Sequence, residues 1–371
     1  TVSVPADPTA PDGKKVEVRY AVLPALARIK LGDPVFVLAG GPGQAATGVA
    51  GQVAPIFDKL NARRDLVFVD QRGTGGSAAF TCPQPAADLD EFDPQRAVER
   101  LADCARNAPL EPALLPTWIA TRDLEAVRAA LGASQVNLWG ASYGTRAALD
   151  YLRQYPQRVR SVVLDGVAPP DMALPAAMSV DADAALEAAL ARCEADPACR
   201  ARYPDLRATV ARLLAGAKSG QRITVADPLT GRPQQLALSP TLLAALLRAP
   251  LYVPAFAATL PYALAEAGAG RFEPLAALAL GLSGPVSRNF AEGMHFAVVC
   301  AEDLPRIDAA ARAQAAATRF GTTMIELYAQ ACGALRMGPV PAEFYTVPPS
   351  GVPVLILSGG ADPATPPRHG E

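Results

Sequence analysis

The chain has 371 residues, half of them apolar, and its 34 Lys and Arg nearly balance 36 Asp and Glu for a formal net charge of −2. No run of about eighteen uncharged apolar residues marks a membrane span, and no basic cluster favours nucleic acid as a partner. The length suffices for two domains, or for one large core carrying an insertion.

The chain opens on Thr1 with neither a methionine nor a signal-type apolar segment, as expected of a mature protein whose leader has been removed. Residues 15–23 alternate well enough for a single strand. Val35–Leu38 and Leu66–Val69 are short, wholly apolar runs, the pattern of parallel strands buried on both faces. Each ends in a Gly or Asp cluster: Ala39-Gly40-Gly41-Pro42-Gly43 after the first, Asp70-Gln71-Arg72-Gly73-Thr74-Gly75-Gly76-Ser77 after the second. The stretch from Gly41 to Ala46 also fits a dinucleotide-binding fingerprint, with Asp70 ending the next strand. Against that reading, the residues after Gly43 do not look like a helix start, which a pyrophosphate needs. The 70–77 loop reads as architectural, with Arg72 pinning neighbouring loops through charged hydrogen bonds.

Residues 121–131 have helical spacing and stop at Gly132. The apolar run 136–139 then leads into Gly140-Ala141-Ser142-Tyr143-Gly144 and a helix-like segment. Strand, G-x-S-x-G and helix in that order form a nucleophile elbow. The turn strains the serine backbone, and a side chain at either flanking position would strike the neighbouring strand or helix. The serine hydroxyl then stands clear of the sheet at the positive end of a helix. Residues 162–164 and Val354–Leu357 supply further buried-strand runs. Strands alternating with helices indicate an α/β fold with a doubly wound, mostly parallel sheet, whose ligand site lies at the carboxyl ends of the strands.

Between about 171 and 347 the texture changes to Ala- and Leu-rich segments, with helices expected over 183–195, 206–217, 241–247 and 307–319. A small hairpin is expected over 222–238, turning at Pro228-Leu229-Thr230-Gly231. The expected division is therefore a core over 1–170, a large helical cap insertion over 171–347 lying on the active-site edge, and the core resumed over 348–371. A separate domain remote from the site is the alternative for the insertion.

The six cysteines fall into three sequence-local couples, Cys82 with Cys104, Cys193 with Cys199, and Cys300 with Cys332. None has a CxxC partner or a histidine at metal-ligand spacing, so no metal site and no cofactor are expected. Disulfides paired in sequence order, in a secreted or periplasmic protein, are the expectation; six buried free thiols are the alternative.

Taken together, the Gly40–Gly43 loop, the 69–77 loop and the Ser142 elbow resemble the proline iminopeptidase and tripeptidyl aminopeptidase branch of the α/β-hydrolases. Gly293-Met294-His295, Cys300-Ala301-Glu302-Asp303 and Asp362-Pro363-Ala364-Thr365-Pro366-Pro367 resemble the tripeptidyl aminopeptidase side of it. One departure is Ala39, where many iminopeptidases carry histidine. The resemblance implies a serine peptidase with an α/β-hydrolase sheet, and it spans nearly the whole chain.

Within that frame, Ser142 is the candidate nucleophile. The backbone N–H groups of Gly41 and Tyr143 are the candidate oxyanion hole, each such donor being worth roughly 3–4 kcal/mol in the transition state. Asp362, after a late strand, is the candidate acid; capping a following helix near Thr365 is its duller role. The base is absent from the expected place. His369 lies only seven residues past Asp362 and reads as a surface residue, while His295 precedes the acid, the wrong order, and reads as a hydrogen-bonded residue of the cap. In the resembling family the histidine follows one more strand, so a separate or missing C-terminal segment is expected to supply it. Aminopeptidase action also needs carboxylates for the α-ammonium, and Glu302, Asp303 and Glu292 are the candidates. The substrates expected are short peptides cleaved at their N-terminus. The alternatives are an esterase or amidase on small acyl substrates, and a catalytically silent binding protein.

Overall fold

The computed structural model describes residues 1–82, 94–226, 231–279 and 290–371. Its centre is a six-stranded sheet in the order β10-β7-β6-β4-β5-β3. The strands are β3 (Tyr20–Leu23), β4 (Val35–Leu38), β5 (Leu66–Val69), β6 (Val136–Ala141), β7 (Val159–Asp165) and β10 (Val354–Leu357). All neighbours run parallel except β3, which is antiparallel to β5. The central strands β4 and β5 are buried at every residue, as their unbroken apolar runs require. This is the expected doubly wound, mostly parallel sheet.

The single strand expected over 15–23 is two strands. β2 (Lys15–Val18) pairs with β1 (Val2–Pro5) in a separate ribbon, whereas β3 joins the large sheet. The break falls at Arg19, whose N–H donates to Ser77 Oγ and whose carbonyl accepts from the Asp70 N–H. One residue held by the 70–77 loop thus hands the chain from one sheet to the other. Ser77 Oγ in turn donates to the Asp70 carbonyl.

Helix Thr117–Ala130 ends at Leu131 and Gly132, whose φ of +67° suits glycine. The helix expected from 183 begins earlier, at Leu174, and runs 22 residues to Ala195 with Pro175 in its first turn. Helices Leu206–Lys218, Pro240–Arg248 and Ala309–Ala316 occupy the other expected segments; Ser239 and Asp308 cap the last two through Leu242 and Ala311 N–H. β8 (Arg222–Ala226) and β9 (Pro233–Ala237) form the expected antiparallel hairpin. Pro228, Leu229 and Thr230 of its turn lie outside the described residues.

Two large apolar clusters organise the interior. Leu186, Leu213, Leu243, Leu264 and Phe272 belong to one, built from residues 182–279 with Phe320. Met294, Val298, Tyr328 and Leu335 instead share the cluster beneath the sheet with Phe36, Leu138 and Leu164. Helices Glu292–Glu302 and Thr323–Cys332 therefore share the apolar cluster of the sheet rather than that of residues 182–279. The six cysteines form disulfides as the three sequence-local pairs, and Cys300–Cys332 ties these two helices together. Among the described residues no helix is long and apolar enough to cross a membrane.

Candidate active site

Ser142 sits between β6 and helix Tyr143–Gln154 with φ +54° and ψ −124°. Among the described residues only it and Ala78 combine a side chain with positive φ. Such a conformation costs about 1–3 kcal/mol and persists only where packing over-determines it. Here the packing is explicit: a Cβ on Gly144 would lie 2.1 Å from the Leu38 carbonyl oxygen, and one on Gly140 would lie 2.3 Å from that of Gly144. The two glycines let the elbow press against β4 and against its own helix. The nucleophile therefore stands at the N-terminus of that helix, where the first N–H groups have no intrahelical acceptor.

The loop after β4 faces the elbow. A Cβ on Gly40 would come within 3.7 Å of Ser142 Oγ, so the bare backbone passes directly over the serine. The Gly40 N–H donates to Gln44 Oε1 at 3.4 Å, and Gly41, with φ +114°, follows it. Gly41 and Tyr143 line the same cavity as Ser142, a space of about 210 Å³. The residues after Gly43 do begin a helix, Ala46–Val53, contrary to their sequence reading. Asp70, however, is fully buried and accepts from Thr47 N–H, Thr47 Oγ1 and Gly76 N–H, which removes it from any ribose. Arg72 has the pinning role expected of it, making a two-pronged pair with Asp123 at 2.7 Å and donating to the carbonyls of Pro5, Ala6 and Leu114.

His295 also lines the cavity but is fully committed. Its Nδ1 lies 2.9 Å from the Pro42 carbonyl, which only accepts, so Nδ1 carries the proton. Nε2 then accepts from Tyr328 Oη at 2.6 Å. Burial holds the ring neutral, lowering its pKa to about 4 despite the Pro42 hydrogen bond. A histidine whose one lone pair is already occupied is a strut between the glycine loop and helix Glu292–Glu302, as its hydrogen-bonded reading anticipated. The Ala291 N–H, which donates to the Gly43 carbonyl at 2.8 Å, is a second strut.

His369 is not the plain surface residue its sequence context suggests. Its side chain is 9% exposed, and Nε2 lies 2.8 Å from Asp181 Oδ2. Arg368 takes the other oxygen of the same carboxylate at 2.8 Å, fastening the end of the chain to helix Leu174–Ala195. Asp181 is 1% exposed, so this clasp is formed below the surface.

Asp362 follows β10 on the same edge as Ser142. Its carboxylate accepts from Ala364 N–H (2.8 Å), Thr365 N–H (2.9 Å) and Thr365 Oγ1 (3.0 Å). The turn-capping role is thus filled, and the helix expected near Thr365 is a single turn of 3₁₀ helix, Pro367–His369. Ala364 and Thr365 themselves line the Ser142 cavity.

Glu302 and Asp303 are both fully buried and meet Arg146, one turn beyond Ser142 on the elbow helix. Arg146 Nη1 reaches Glu302 Oε2 at 3.1 Å and Asp303 Oδ1 at 2.9 Å, while Nη2 donates to the Met172 carbonyl. Glu302 is further engaged by Thr117, which donates to it from its N–H (2.6 Å) and its hydroxyl (3.1 Å). Tyr143 Oη joins this network, 2.6 Å from Thr117 Oγ1. Asp303 differs: it lines the cavity, and its Oδ2 is buried with no hydrogen-bond partner. Two carboxyls face the Arg146 guanidinium directly, while Arg306 and the Leu174 backbone also act on Asp303 and favour its charged form. Burial pushes Glu302 up to about 7 and Asp303 up to about 6, against the pull of Arg146. Glu292 is half-buried at the start of its helix and is not among the cavity-lining residues. Sequence reading missed Arg146, Thr117 and Tyr328. Only Arg146 left a trace, as a cation one helical turn past the nucleophile on a helix otherwise bound for the core.

Residues 33–216 match the family model described as the alpha/beta hydrolase fold. The serine protease Hip1 of Mycobacterium tuberculosis is 30% identical over 187 residues, covering 46% of this chain and 36% of that protein. The tripeptidyl aminopeptidase of Streptomyces lividans is 30% identical over 187 residues, covering 46% and 35%. The proline iminopeptidase of Neisseria meningitidis serogroup B is 28% identical over 136 residues, covering 37% and 33%. The chain thus spans about a third of the length of these curated relatives. A solved proline iminopeptidase from Mycobacterium smegmatis is 24% identical, with a TM-score of 0.32, over 58% of this chain and 60% of that one.

Proposed function

Starting from the α/β-hydrolase domain that this chain carries, we propose that the protein is a secreted or periplasmic serine hydrolase that removes short units from the N-terminus of peptides. The observation that carries this reading is the pairing, in one cavity, of the strained Ser142 with the unpartnered, buried Oδ2 of Asp303. A nucleophile alone fits any acyl transfer. A buried carboxylate oxygen that makes no hydrogen bond suits a cation, and the α-ammonium of a peptide is one.

In this mechanism Ser142 Oγ attacks the peptide carbonyl and gives its proton to a histidine oriented by Asp362. The Gly41 and Tyr143 N–H groups hold the oxyanion. The protonated base then delivers its proton to the departing amine, and water hydrolyses the acyl-enzyme by the same route. Gly41 is preferred over Gly40 as donor because the Gly40 N–H is already spent on Gln44. Asp303 receives the ammonium, with Glu302 behind it holding Arg146 and Thr117. Of residues 171–347, the helices that build the separate apolar cluster over 182–279 act as a cap that admits chain ends.

The base in this proposal is supplied by a further segment. His295 has both ring nitrogens engaged, and His369 is held by Asp181 and is not among the residues lining the Ser142 cavity. β10 offers the docking place: its residues Val354, Leu355, Ile356 and Leu357 are 41–54% exposed, an apolar sheet edge open on both faces. The test is a pair of matched peptides, one with a free N-terminus and one N-acetylated, given to the full-length protein and to Ser142→Ala. Cleavage of the free peptide alone, lost in Ser142→Ala, is the expected result. Equal cleavage of the acetylated peptide would leave an esterase or amidase without amine recognition.

A further inference from the structure

Arg248 ends helix Pro240–Arg248 and lines the same cavity as Ser142 and Asp303. Its guanidinium lies over the Tyr252 ring, 5.2 Å from the centroid, and one terminal nitrogen donates to Tyr252 Oη. Its Nε is buried with no hydrogen-bond partner, and among the described residues no carboxylate pairs with it. The contrast with Arg146, in the same cavity, is direct: that cation faces two carboxyls and a carbonyl.

A guanidinium stays charged at any pH that proteins meet, so a partly buried one with a vacant donor holds unbalanced positive charge. Of the neighbouring walls Phe290, Leu174 and Met178 are apolar and His295 is neutral, while the Asp303 carboxylate on the same cavity is paired with Arg146 and makes no ion pair with Arg248. Stacking on Tyr252 fixes the plane of the fork, whose Nε edge keeps a vacant donor. A carboxylate matches that edge with two parallel hydrogen bonds.

We propose that Arg248 is a carboxylate-recognition residue, so that this cavity favours substrates carrying a carboxylate as well as a free amine. This deepens the peptidase reading above and rests on it. Two sources offer the same chemistry, an acidic side chain on the released unit or the free C-terminus of a very short peptide.

Binding to full-length Ser142→Ala, measured by calorimetry, separates them. One pair of probes is glutamyl-alanine amide against glutaminyl-alanine amide; the other is alanyl-alanine against its amide. The proposal expects one pair to show at least about tenfold tighter binding of the carboxylate form. Adding Arg248→Gln removes that preference, and adding Arg248→Lys keeps part of it. No discrimination in either pair, or discrimination that survives Arg248→Gln, overturns the proposal. Because the readout is binding, failure of the peptidase reading shows separately, as wild-type protein that discriminates between the probes yet cleaves no peptide.

Discussion

Asp303 and His295 face the same cavity with opposite pH behaviour. A carboxylate must be ionised to hold an ammonium, and burial raises Asp303 to about 6 and Glu302 to about 7. KM for a free-amine peptide should therefore fall as pH rises from about 5 to 7, before the substrate amine itself deprotonates near pH 8. Asp303→Asn should raise that KM about tenfold to a hundredfold and flatten the profile, with kcat on a neutral ester far less affected. Steady-state kinetics on the two substrates checks this. His295 has a depressed folded value, about 4 against 6.5, so the unfolded chain binds more protons between those limits. Its contribution is present above pH 6.5 and lost as pH falls toward 4, up to about 3 kcal/mol. The two raised carboxyls run the other way, costing stability as pH rises from about 4 to 7, so the wild-type curve alone blurs both. The stability difference between wild type and His295→Gln, followed by denaturant titration, should shrink on acidification. At this scale Ser142 and the pinning role of Arg72 were legible, because each sits in a motif whose geometry follows from its glycines or its neighbours. Arg146, Thr117 and Tyr328 were not, since the partners that place them, Glu302 and His295, lie 33 to 185 residues away and no local pattern announces them.

The elbow and the disulfide-linked helix pair carry the site as elements. Gly144→Ala would place a methyl 2.1 Å from the Leu38 carbonyl, backbone against backbone, where no rotamer change gives relief. The expected cost exceeds about 3 kcal/mol, read as a lower midpoint of thermal unfolding. Alanine at Gly132, where a Cβ meets nothing but φ is +67°, should cost only about 1 kcal/mol. Cys300–Cys332 closes a sequence separation of 32 residues and binds the helix of His295 to that of Tyr328. Replacing both cysteines with alanine should remove about 3–4 kcal/mol in the chain-entropy account and loosen the Pro42–His295–Tyr328 strut, measurable by chemical denaturation. The buried strands were legible because apolar runs of four residues between glycine clusters leave little else to form. Residues 15–23 misled because alternation is continuous across Arg19, while the break there is made by Ser77, far along the chain. Helix Glu292–Glu302 was overlooked because it is buried on all sides and shows no amphipathic face.

For the whole molecule, the parallel strands place the loops that hold Gly41, Ser142 and Asp362 on one edge, and helix Glu292–Glu302, tied to helix Thr323–Cys332, is held against the first of them through His295 and Ala291. The shared edge follows from parallel strands, which the alternation of strand and helix implied, whereas the strand order and the place of these two helices were not legible in the sequence. The open side is β10, four apolar residues with no strand beyond them among the described residues. If a further segment docks there and brings the base, Leu355→Asp in the full-length protein should lower kcat far more than it lowers thermal stability of the Ser142 half of the sheet. In this mechanism Ser142 is an activated nucleophile. An intact mass spectrum of the full-length protein before and after a fluorophosphonate tests it most directly. One adduct per chain, absent in Ser142→Ala, is the predicted result; no adduct on the folded wild-type protein would contradict it.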